Sequence, residues 1–488
     1  MKCFDLAHNF EYDITRPVND MAAFFAYSAG HTDTASLRVG RVKRGAEHFV
    51  AAEFIEAGKH YCSEQRIEQN NEIVVASGET IRCLKLAVVD VFSQAYAAFG
   101  LAMPSLPWGV LTGVRPGKLA HKLLDTGAAD KETLVRTLAE KYLLPDGQGQ
   151  LLKNICLLQK QLLPDATRFV DGGIYIGVPF CPSRCTYCSF PAGIVPADEE
   201  SQENFVNLIE QDVKNVVQLL GMHSLNIKSI YIGGGTPTSL GERPFARLLD
   251  IVEHNLLGGS VSEFTVEAGR PDCFTAGKLQ AMERAGVNRV SVNPQTFHDR
   301  TLALIGRRHS VADFYRAYDM VRQSSIPVIN MDLIIGLPEE TETDIAYSLK
   351  EAAKLAPDNL TIHTLTLKRS APLFGTSPGL SGEAAARMVE QGRRAAAGLG
   401  MVPYYLYRQH YMLGHLANIG YALPGTESLY NIQMMEERHP IIGVGPGSAS
   451  KMPLRDGHHL NKLNMPKSVQ AYAENLNSLF EKRAELFK

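Results

Sequence analysis

The sequence predicts an α/β protein built around a partial, open-sided (β/α)6 barrel, with an N-terminal α+β extension and a mostly helical C-terminal region. Two observations carry this expectation. From about residue 173 onward, short β-branched runs end in Gly, Pro, Asn or Glu and are followed by amphipathic helical stretches, the alternation that builds a parallel sheet from strand-helix units. Six such runs occur, too few for a closed eight-stranded barrel.

In chain order the runs are IYIGV (174–178), SIYIG (229–233), EFTVEA (263–268), RVSVN (289–293), INMDLIIG (329–336) and LTIHTLTL (360–367). They recur at roughly 25 to 55 residues, which suits one strand, one helix and two loops per unit. After the first run, Phe205, Leu208, Ile209, Val213, Val216, Val217 and Leu220 fall on one helical face. The acidic start Asp198-Glu199-Glu200 complements that helix's dipole. The next helix carries Phe245, Leu248, Leu249 and Val252; a later one takes Ser310 as N-cap before Val311, Phe314, Tyr315 and Tyr318. These stripes are read as core-facing, and a barrel of this kind carries its site at the C-terminal strand ends.

Residues 1–165 lack this rhythm and are expected to form an accessory α+β and helical domain, with strand-like runs such as EIVVAS (72–77) followed by helical stretches. The segment LPWGVLTGVRPGKLAHKLL (106–124) holds the single tryptophan and reads as a packed loop opening a helix. The barrel is assigned to residues 166–375. Residues 376–488, helix-rich with a Gly-rich turn IIGVGPGSAS (441–450), are expected to cover the substrate.

With 488 residues, 45% hydrophobic and 21% charged, the chain exceeds a single core and is neither disordered nor collagen-like. A net charge of −3 gives no reason to expect nucleic acid. The first residues, MKCFDLAHNFEYDI, lack the features of a signal peptide, and no run is long and apolar enough for a membrane span. A cytoplasmic location with reduced thiols is therefore expected. Cys3, Cys62, Cys83, Cys156 and Cys273 are scattered and read as inert.

The other three cysteines are crowded into YIGVPFCPSRCTYCSF (175–190) as Cys181, Cys185 and Cys188. Structural zinc takes four ligands, usually as two separated pairs. No second pair stands out: His458 and His459 are adjacent and His363 is isolated. Three thiolates alone suit a 4Fe-4S cluster with one iron left open.

The CxxxCxxC spacing directly after a strand, with Tyr187 before the last cysteine, resembles the signature of radical S-adenosylmethionine (SAM) enzymes. YIGGGTPTSL (231–240), TVEAGRP (265–271), RVSVNPQTF (289–297), LIGRRHS (304–310) and NMDLIIGLPEET (330–341) follow in the order of the oxygen-independent coproporphyrinogen III dehydrogenase family, which includes related haem chaperones. The resemblance covers roughly residues 170 to 450. It implies a 4Fe-4S cluster on Cys181, Cys185 and Cys188, and SAM on the open iron. It further implies SAM contacts from Tyr175, Tyr187, Gly234, Gly235, Thr236, Glu267, Gln295, Arg307 and Asp332, with Tyr175, Glu267 and Gln295 also taken as catalytic. Thr366 and Ala449 occupy less distinctive family positions.

The chain departs from the better-known members at Gly177, where they carry histidine, and at Phe190, where the dehydrogenases have a further cysteine. The haem chaperones share a His-Asn-x-x-Tyr-Trp segment; here it reads YNIQMM, with Tyr430, Asn431 and Met434-Met435, and the histidine is lost. The methionines are read as core or cavity lining. The N-terminal extension and residues 404–433 resemble the long-form branch of the family. That resemblance implies oxidative decarboxylation of two propionates of coproporphyrinogen III to the vinyls of protoporphyrinogen IX, in porphyrin and haem biosynthesis. A low-potential electron donor of flavodoxin or ferredoxin type is implied as partner. Lys368, Arg369 and Arg408 are candidates for the substrate carboxylates, with a solvated face as the alternative. A radical SAM methyl- or alkyl-transferase and a haem-binding delivery protein are the competing readings.

Overall fold

The computed structural model describes the chain except residues 1–4, 9, 11–14, 16–17, 20, 23–24, 26–34, 46, 69–75, 114, 164–170, 377–378, 455–458 and 488. It divides into two units, Met1–Gly113 with Gly127–Leu151, and Val114–Thr126 with Leu152–Lys488.

In the first unit, β1 (Asp5–His8) pairs parallel with β2 (Ser36–Arg44), and β2, β3 (Glu47–Glu56) and β4 (Lys59–Arg66) form an antiparallel meander. Ala57 and Gly58, with φ of 51° and 74°, make the two-residue turn between β3 and β4, a geometry that matches the right-handed strand twist. The helix Ala76–Ala98 covers the sheet, its Phe92 ring 4.6 Å from Phe54 and 4.7 Å from Phe25. Of the EIVVAS run, residues 72–75 lie outside the described residues, and Ala76 and Ser77 open this helix rather than a strand.

The second unit is organised by an eleven-stranded sheet. Its centre is β5 (Asp171–Val178), β8 (Asn226–Gly234), β9 (Glu263–Glu267), β10 (Arg289–Ser291), β11 (Val328–Ile335) and β12 (Asn359–Thr364), all parallel and in sequence order. These six strands coincide with the six sequence runs. Between β5 and β8 the short strands β6 (Phe180–Cys181) and β7 (Gly193–Ile194) pair with each other and close the cysteine loop at its base. The barrel is partial and open.

The outward-facing strand residues Ile174, Ile176, Ile230, Ile232, Val266 and Val290 are fully buried beneath the helices. In the helix Glu199–His223, Phe205, Ile209, Val213 and Val216 are buried as expected, whereas Val217 is exposed and Leu219 takes the place foreseen for Leu220. The buried face also includes Asp212, a charge that only a distant partner makes tolerable. Ser310 caps the helix Val311–Arg322 in a reciprocal box with Asp313.

The C-terminal residues are rich in helix, and they also extend both flanks of the sheet. β13 (Val402–Tyr407) and β14 (Asn418–Ala422) add antiparallel beside β12; β15 (Ile441–Val444) pairs parallel with β5 and is followed by the antiparallel β16 (Ala449–Pro453) and β17 (Leu460–Asn464). The helix Leu429–Glu436 packs against β5, β8 and β13. Among the described residues no helix is long and apolar enough to cross a membrane. Trp108 is buried in a turn, and Pro116 occupies the first turn of the helix Pro116–Asp125, so that segment is a packed turn leading into a helix.

A fully buried ion pair ties the last helix, Leu476–Leu486, to the barrel. Arg483 donates to both carboxylate oxygens of Asp212 (2.6 and 3.0 Å) and to the Gly443 carbonyl (2.9 Å), while the Tyr472 hydroxyl donates to Asp212 and accepts from the Gly445 amide at 2.9 Å. Removing one partner leaves the other charged and without compensation. Arg483→Met is therefore expected to cost about 3–5 kcal/mol, measured as a lowered urea midpoint; an unchanged midpoint would show the pair to be energetically idle.

Candidate active site at the carboxyl ends of the parallel strands

The loop after β5 carries Cys181, Cys185 and Cys188. Backbone bonds fix its shape: Gly193 N–H donates to the Pro179 carbonyl (2.8 Å), Val195 to Cys181 (3.0 Å) and Cys188 to Cys185 (3.2 Å). Thr186 pins the outer turn, donating to the Ile305 carbonyl at 3.0 Å and accepting from Leu373 at 3.0 Å. Each sulfur also receives a donor. Thr236 Oγ1 lies 3.6 Å from Cys181 Sγ, Arg270 Nη1 3.5 Å from Cys185 Sγ, and the Phe190 amide 3.4 Å from Cys188 Sγ. Arg270 in turn is held by Asp272 at 2.8 and 2.9 Å, whose carboxyl burial would raise but His309 and Arg270 hold far below its ordinary value.

The glycine run ending β8 lies directly against this loop. A Cβ on Gly235 would fall 2.3 Å from the Phe180 carbonyl oxygen and 2.9 Å from Cys181 Sγ. Gly234 has φ of 118°, where its amide donates to Glu267 Oε2 at 3.3 Å and a Cβ would strike the Val178 carbonyl.

Two cavities open along the concave face. One of about 440 Å³ adjoins the cysteine loop and is lined by Tyr187, Cys188, Gln295, Thr366 and Lys368 among others. The second, about 410 Å³, lies deeper and is lined by Tyr175, Tyr231, Glu267, Asp332, Tyr430 and Ala449 among others. Phe190 and His363 line both and mark where they meet.

The residues named from the sequence thus fall into three groups. Tyr187, Gln295 and Thr366 border the loop-side cavity; Tyr175, Glu267, Asp332 and Ala449 border the deeper one; Gly234, Gly235 and Thr236 form the cradle at the end of β8. Gln295 has φ of 67°, bridges to β11 through Asp332 and Ile334, and has a buried Oε1 without a partner. Arg307 is buried and its Nη1 donates to the carbonyls of Gly269 (3.1 Å) and Asn293 (2.8 Å), so it ties the ends of β9 and β10 while Nη2 reaches Tyr187 at 3.4 Å. Lys368 borders the loop-side cavity; Arg369 is exposed and lines neither cavity, so it takes the solvated-face alternative and is no longer a candidate for the substrate carboxylates; Arg408 is buried and donates to the carbonyls of His415 and Leu416. Met434 and Met435 line the deeper cavity.

Gly177 has a local reason. A Cβ there would sit 3.0 Å from the Pro446 carbonyl, and one on Gly445 would sit 2.6 Å from the Gly177 carbonyl. The 441–450 turn therefore occupies the space a larger side chain would need.

Glu267 is the electrostatic centre of the deeper cavity. Burial pushes its carboxyl up to about 7, opposed by the hydrogen bond from Tyr231. Burial also works against the charge of Asp332, but His363, Asn330 and Thr361 hold its carboxyl below the ordinary range. Tyr231 lies 4.3 Å from Tyr430, Tyr430 5.8 Å from Tyr175 and Tyr175 6.1 Å from Tyr231, a cluster of three mutually contacting phenols. Because folded Glu267 holds its proton more tightly than the unfolded carboxyl, stability falls as pH rises from about 4.5 through about 7. Glu267→Gln is expected to remove that slope, gaining about 1–3 kcal/mol over the wild type at pH 8 relative to pH 5. Urea titrations at both pH values check this, and parallel pH profiles would refute the shift.

Several residues of this site were not singled out from the sequence: Tyr231, Arg289, Asn330, Thr361, Tyr404, Tyr405, Tyr407 and Lys451 line the deeper cavity, and His363, read as an isolated residue, stands where the two cavities meet. A signal existed. Five of the six central parallel strands alternate apolar with polar or tyrosine residues: Ser229 and Tyr231, Thr265 and Glu267, Arg289 and Ser291, Asn330 and Asp332, Thr361 and His363. With period two, those positions share the inner face.

A glycine-cradled CxxxCxxC loop at the first strand end of an open parallel barrel defines a radical SAM protein, and the Radical SAM superfamily model matches residues 175–352. Members of this superfamily use a 4Fe-4S cluster and SAM. The oxygen-independent coproporphyrinogen-III oxidase-like protein HemZ of Bacillus subtilis (strain 168) is 40% identical over 376 residues, covering 75% of this chain and 74% of that protein. The heme chaperone HemW of Escherichia coli (strain K12) is 30% identical over 293 residues, covering 59% of this chain and 72% of that protein. The solved structure of coproporphyrinogen III oxidase (HemN) from Escherichia coli shares the fold, with a TM-score of 0.51 at 18% identity over 67% of this chain and 73% of that one. The chain belongs to the family of oxygen-independent coproporphyrinogen-III oxidase-like proteins.

The donor set fits the cluster. A 4Fe-4S cluster takes each of the three thiolates on a separate iron, and all three cysteines sit on one loop. The glycine cradle and the three hydrogen bonds to sulfur are the surroundings such a cluster requires.

Proposed function

We propose that this chain is a radical SAM enzyme that removes carboxyl groups oxidatively from a tetrapyrrole, converting propionates of coproporphyrinogen III to vinyl groups in porphyrin biosynthesis. The observation that carries this reading is the junction of the two cavities at Phe190 and His363, which sets a polar, tyrosine-rich chamber beside the three-cysteine loop. Bound at Cys181, Cys185 and Cys188, the cluster with SAM supplies a carbon radical able to take a hydrogen atom from the propionate β-carbon. Carbon dioxide and one electron, passed to an external acceptor, then leave the substrate to give the vinyl group.

The chain's own residues supply the surroundings. The backbone of Gly234 and Gly235, whose amides with that of Thr236 already donate to Glu267, Val178 and Phe180, offers carbonyl oxygens to the ammonium group of a zwitterionic amino acid, and Gln295 offers its unpartnered Oε1 to a polar group. The Asp332 carboxylate suits ribose hydroxyls. Lys451, whose ammonium burial pulls down to about 8 against the attraction of Glu437, and Lys462 offer cations to substrate carboxylates in the deeper chamber.

Haem delivery is the second reading, favoured by the heme chaperone relatives. The test is anaerobic incubation of the cluster-loaded protein with SAM, a reductant and coproporphyrinogen III, products read by mass. Loss of carbon dioxide and two hydrogen equivalents per side chain is expected. 5′-Deoxyadenosine without tetrapyrrole conversion would sink the reading, and a stoichiometric Soret band on haem addition would then favour delivery. Gain of a methylene unit on another product would favour alkyl transfer.

A further inference from the structure

Electrons for a cluster at Cys181, Cys185 and Cys188 have to enter from outside, because the remaining five cysteines form no second cluster motif. The surface around the loop is distinctive for its charge. Residues 180–191, 303–309, 366–376 and 408–412 contain Arg184, Arg307, Arg308, Lys368, Arg369 and Arg408 but no Asp or Glu, in a chain whose net charge is −3. The first three segments are pinned together: Thr186 bonds to Ile305 and Leu373, and Arg184 Nη2 donates to the Ser370 carbonyl at 2.6 Å. Thr366 bridges to Met412 and brings the fourth alongside.

Arg184, Arg308, Lys368 and Arg369 are exposed, and none of them has an ion-pair partner among the described residues. Beside them stand exposed apolar side chains: Leu304 at 43%, Phe374 at 43% and Tyr411 at 62%, the last two in edge contact at 6.3 Å. A small apolar centre within a one-signed rim is the composition of a transient electrostatically steered interface, for which a modest area suffices.

We propose that this face, centred on Phe374 and ringed by Arg184, Arg308 and Arg369, docks a small acidic protein that carries a single low-potential electron. Docking there brings the carrier against the outer turn of the cysteine loop, where its reduced cofactor gives up one electron and the cluster accepts it. The proposal rests on the radical SAM reading of the loop and is independent of which tetrapyrrole is converted.

The test uses the full cluster-loaded chain, SAM, and either chemically reduced flavodoxin or dithionite, with 5′-deoxyadenosine as product. A double variant, Arg308→Glu with Arg369→Glu, is compared with the wild type, and flavodoxin binding to each is measured directly at low and high salt. Expected are a flavodoxin-driven rate and affinity reduced about tenfold or more at low salt, a wild-type affinity that falls as salt rises, and dithionite-driven cleavage unchanged. Phe374→Ala should weaken flavodoxin binding while leaving its salt dependence intact. Unchanged flavodoxin binding in the double variant would overturn the proposal, as would an equal loss with both reductants, which would assign the cations to cofactor or substrate. Failure of wild-type cleavage with dithionite would instead strike the radical SAM reading itself.

Discussion

Cys185→Ala is expected to abolish cluster binding and SAM cleavage together, with iron falling from about four per chain to near zero and cleavage reduced by at least ~10³-fold. Cys185 is the most buried of the three cysteines and the one that receives the Arg270 guanidinium, so its removal takes away a ligand while Arg270 keeps its bonds to Asp272 and Ser183. The loop itself should survive, since the bonds that shape it run between backbone groups at Pro179, Gly193, Cys181, Val195, Thr186 and Ile305. Circular dichroism and the urea midpoint should therefore stay close to wild type while iron analysis and 5′-deoxyadenosine formation collapse. Cys62→Ala, at an exposed cysteine of the other unit, is the control expected to change neither. A Cys185 variant that kept its iron would overturn the cluster assignment.

Gly235→Ala should approach the same loss by sterics alone. Its Cβ would lie 2.3 Å from the Phe180 carbonyl oxygen and 2.8 Å from that carbonyl carbon, backbone atoms that cannot rotate away, and 2.9 Å from Cys181 Sγ. Relief requires β6 to move away from the end of β8, which breaks the bonds from Gly235 and Thr236 to Val178 and Phe180 and shifts the Cys181 sulfur from the position its two companions share. Cluster loading is expected to fall at least ~10-fold, with destabilisation of about 1–3 kcal/mol for overpacking. Gly193→Ala lies in the same loop, but its Cβ would meet nothing nearer than the Pro179 carbonyl at 4.0 Å; it should load the cluster normally. Equal loading in the two variants would show that the cradle does not set the cysteine geometry.

The six parallel strands were legible because each is a short β-branched run closed by a turn residue, a local pattern that survives tertiary packing. The cap at Ser310 was equally local. Helix faces were less secure: Asp212 belongs to the buried face of its helix only because Arg483 arrives 271 residues later, and nothing within the helix announces that partner. Of EIVVAS only Ala76 and Ser77 lie among the described residues, and they open a helix that packs over the sheet. The strands at 402–464 were missed as part of the barrel sheet because strand edges find each other through chain reversal, not through a repeat.

In the site, the cysteine spacing and the glycine run were readable because a close approach to an inorganic centre restricts residue type at fixed offsets. The tyrosine cluster of Tyr175, Tyr231 and Tyr430 was not: its members lie on two neighbouring strands and on a helix near the far end of the chain. His363 looked isolated in the chain and stands 3.6 Å from Asp332 in space.

The sequence by itself determined the strand-helix repeat, the three thiols and the glycines that let backbone approach them, since each depends on neighbours a few residues away. Only the tertiary structure decided which polar residues face one chamber, how Glu267 keeps its proton to about pH 7, and how closely the 441–450 turn approaches Gly177. Those outcomes depend on desolvation and on close approach between segments far apart in the chain, quantities that exist only once the sheet has closed around its interior.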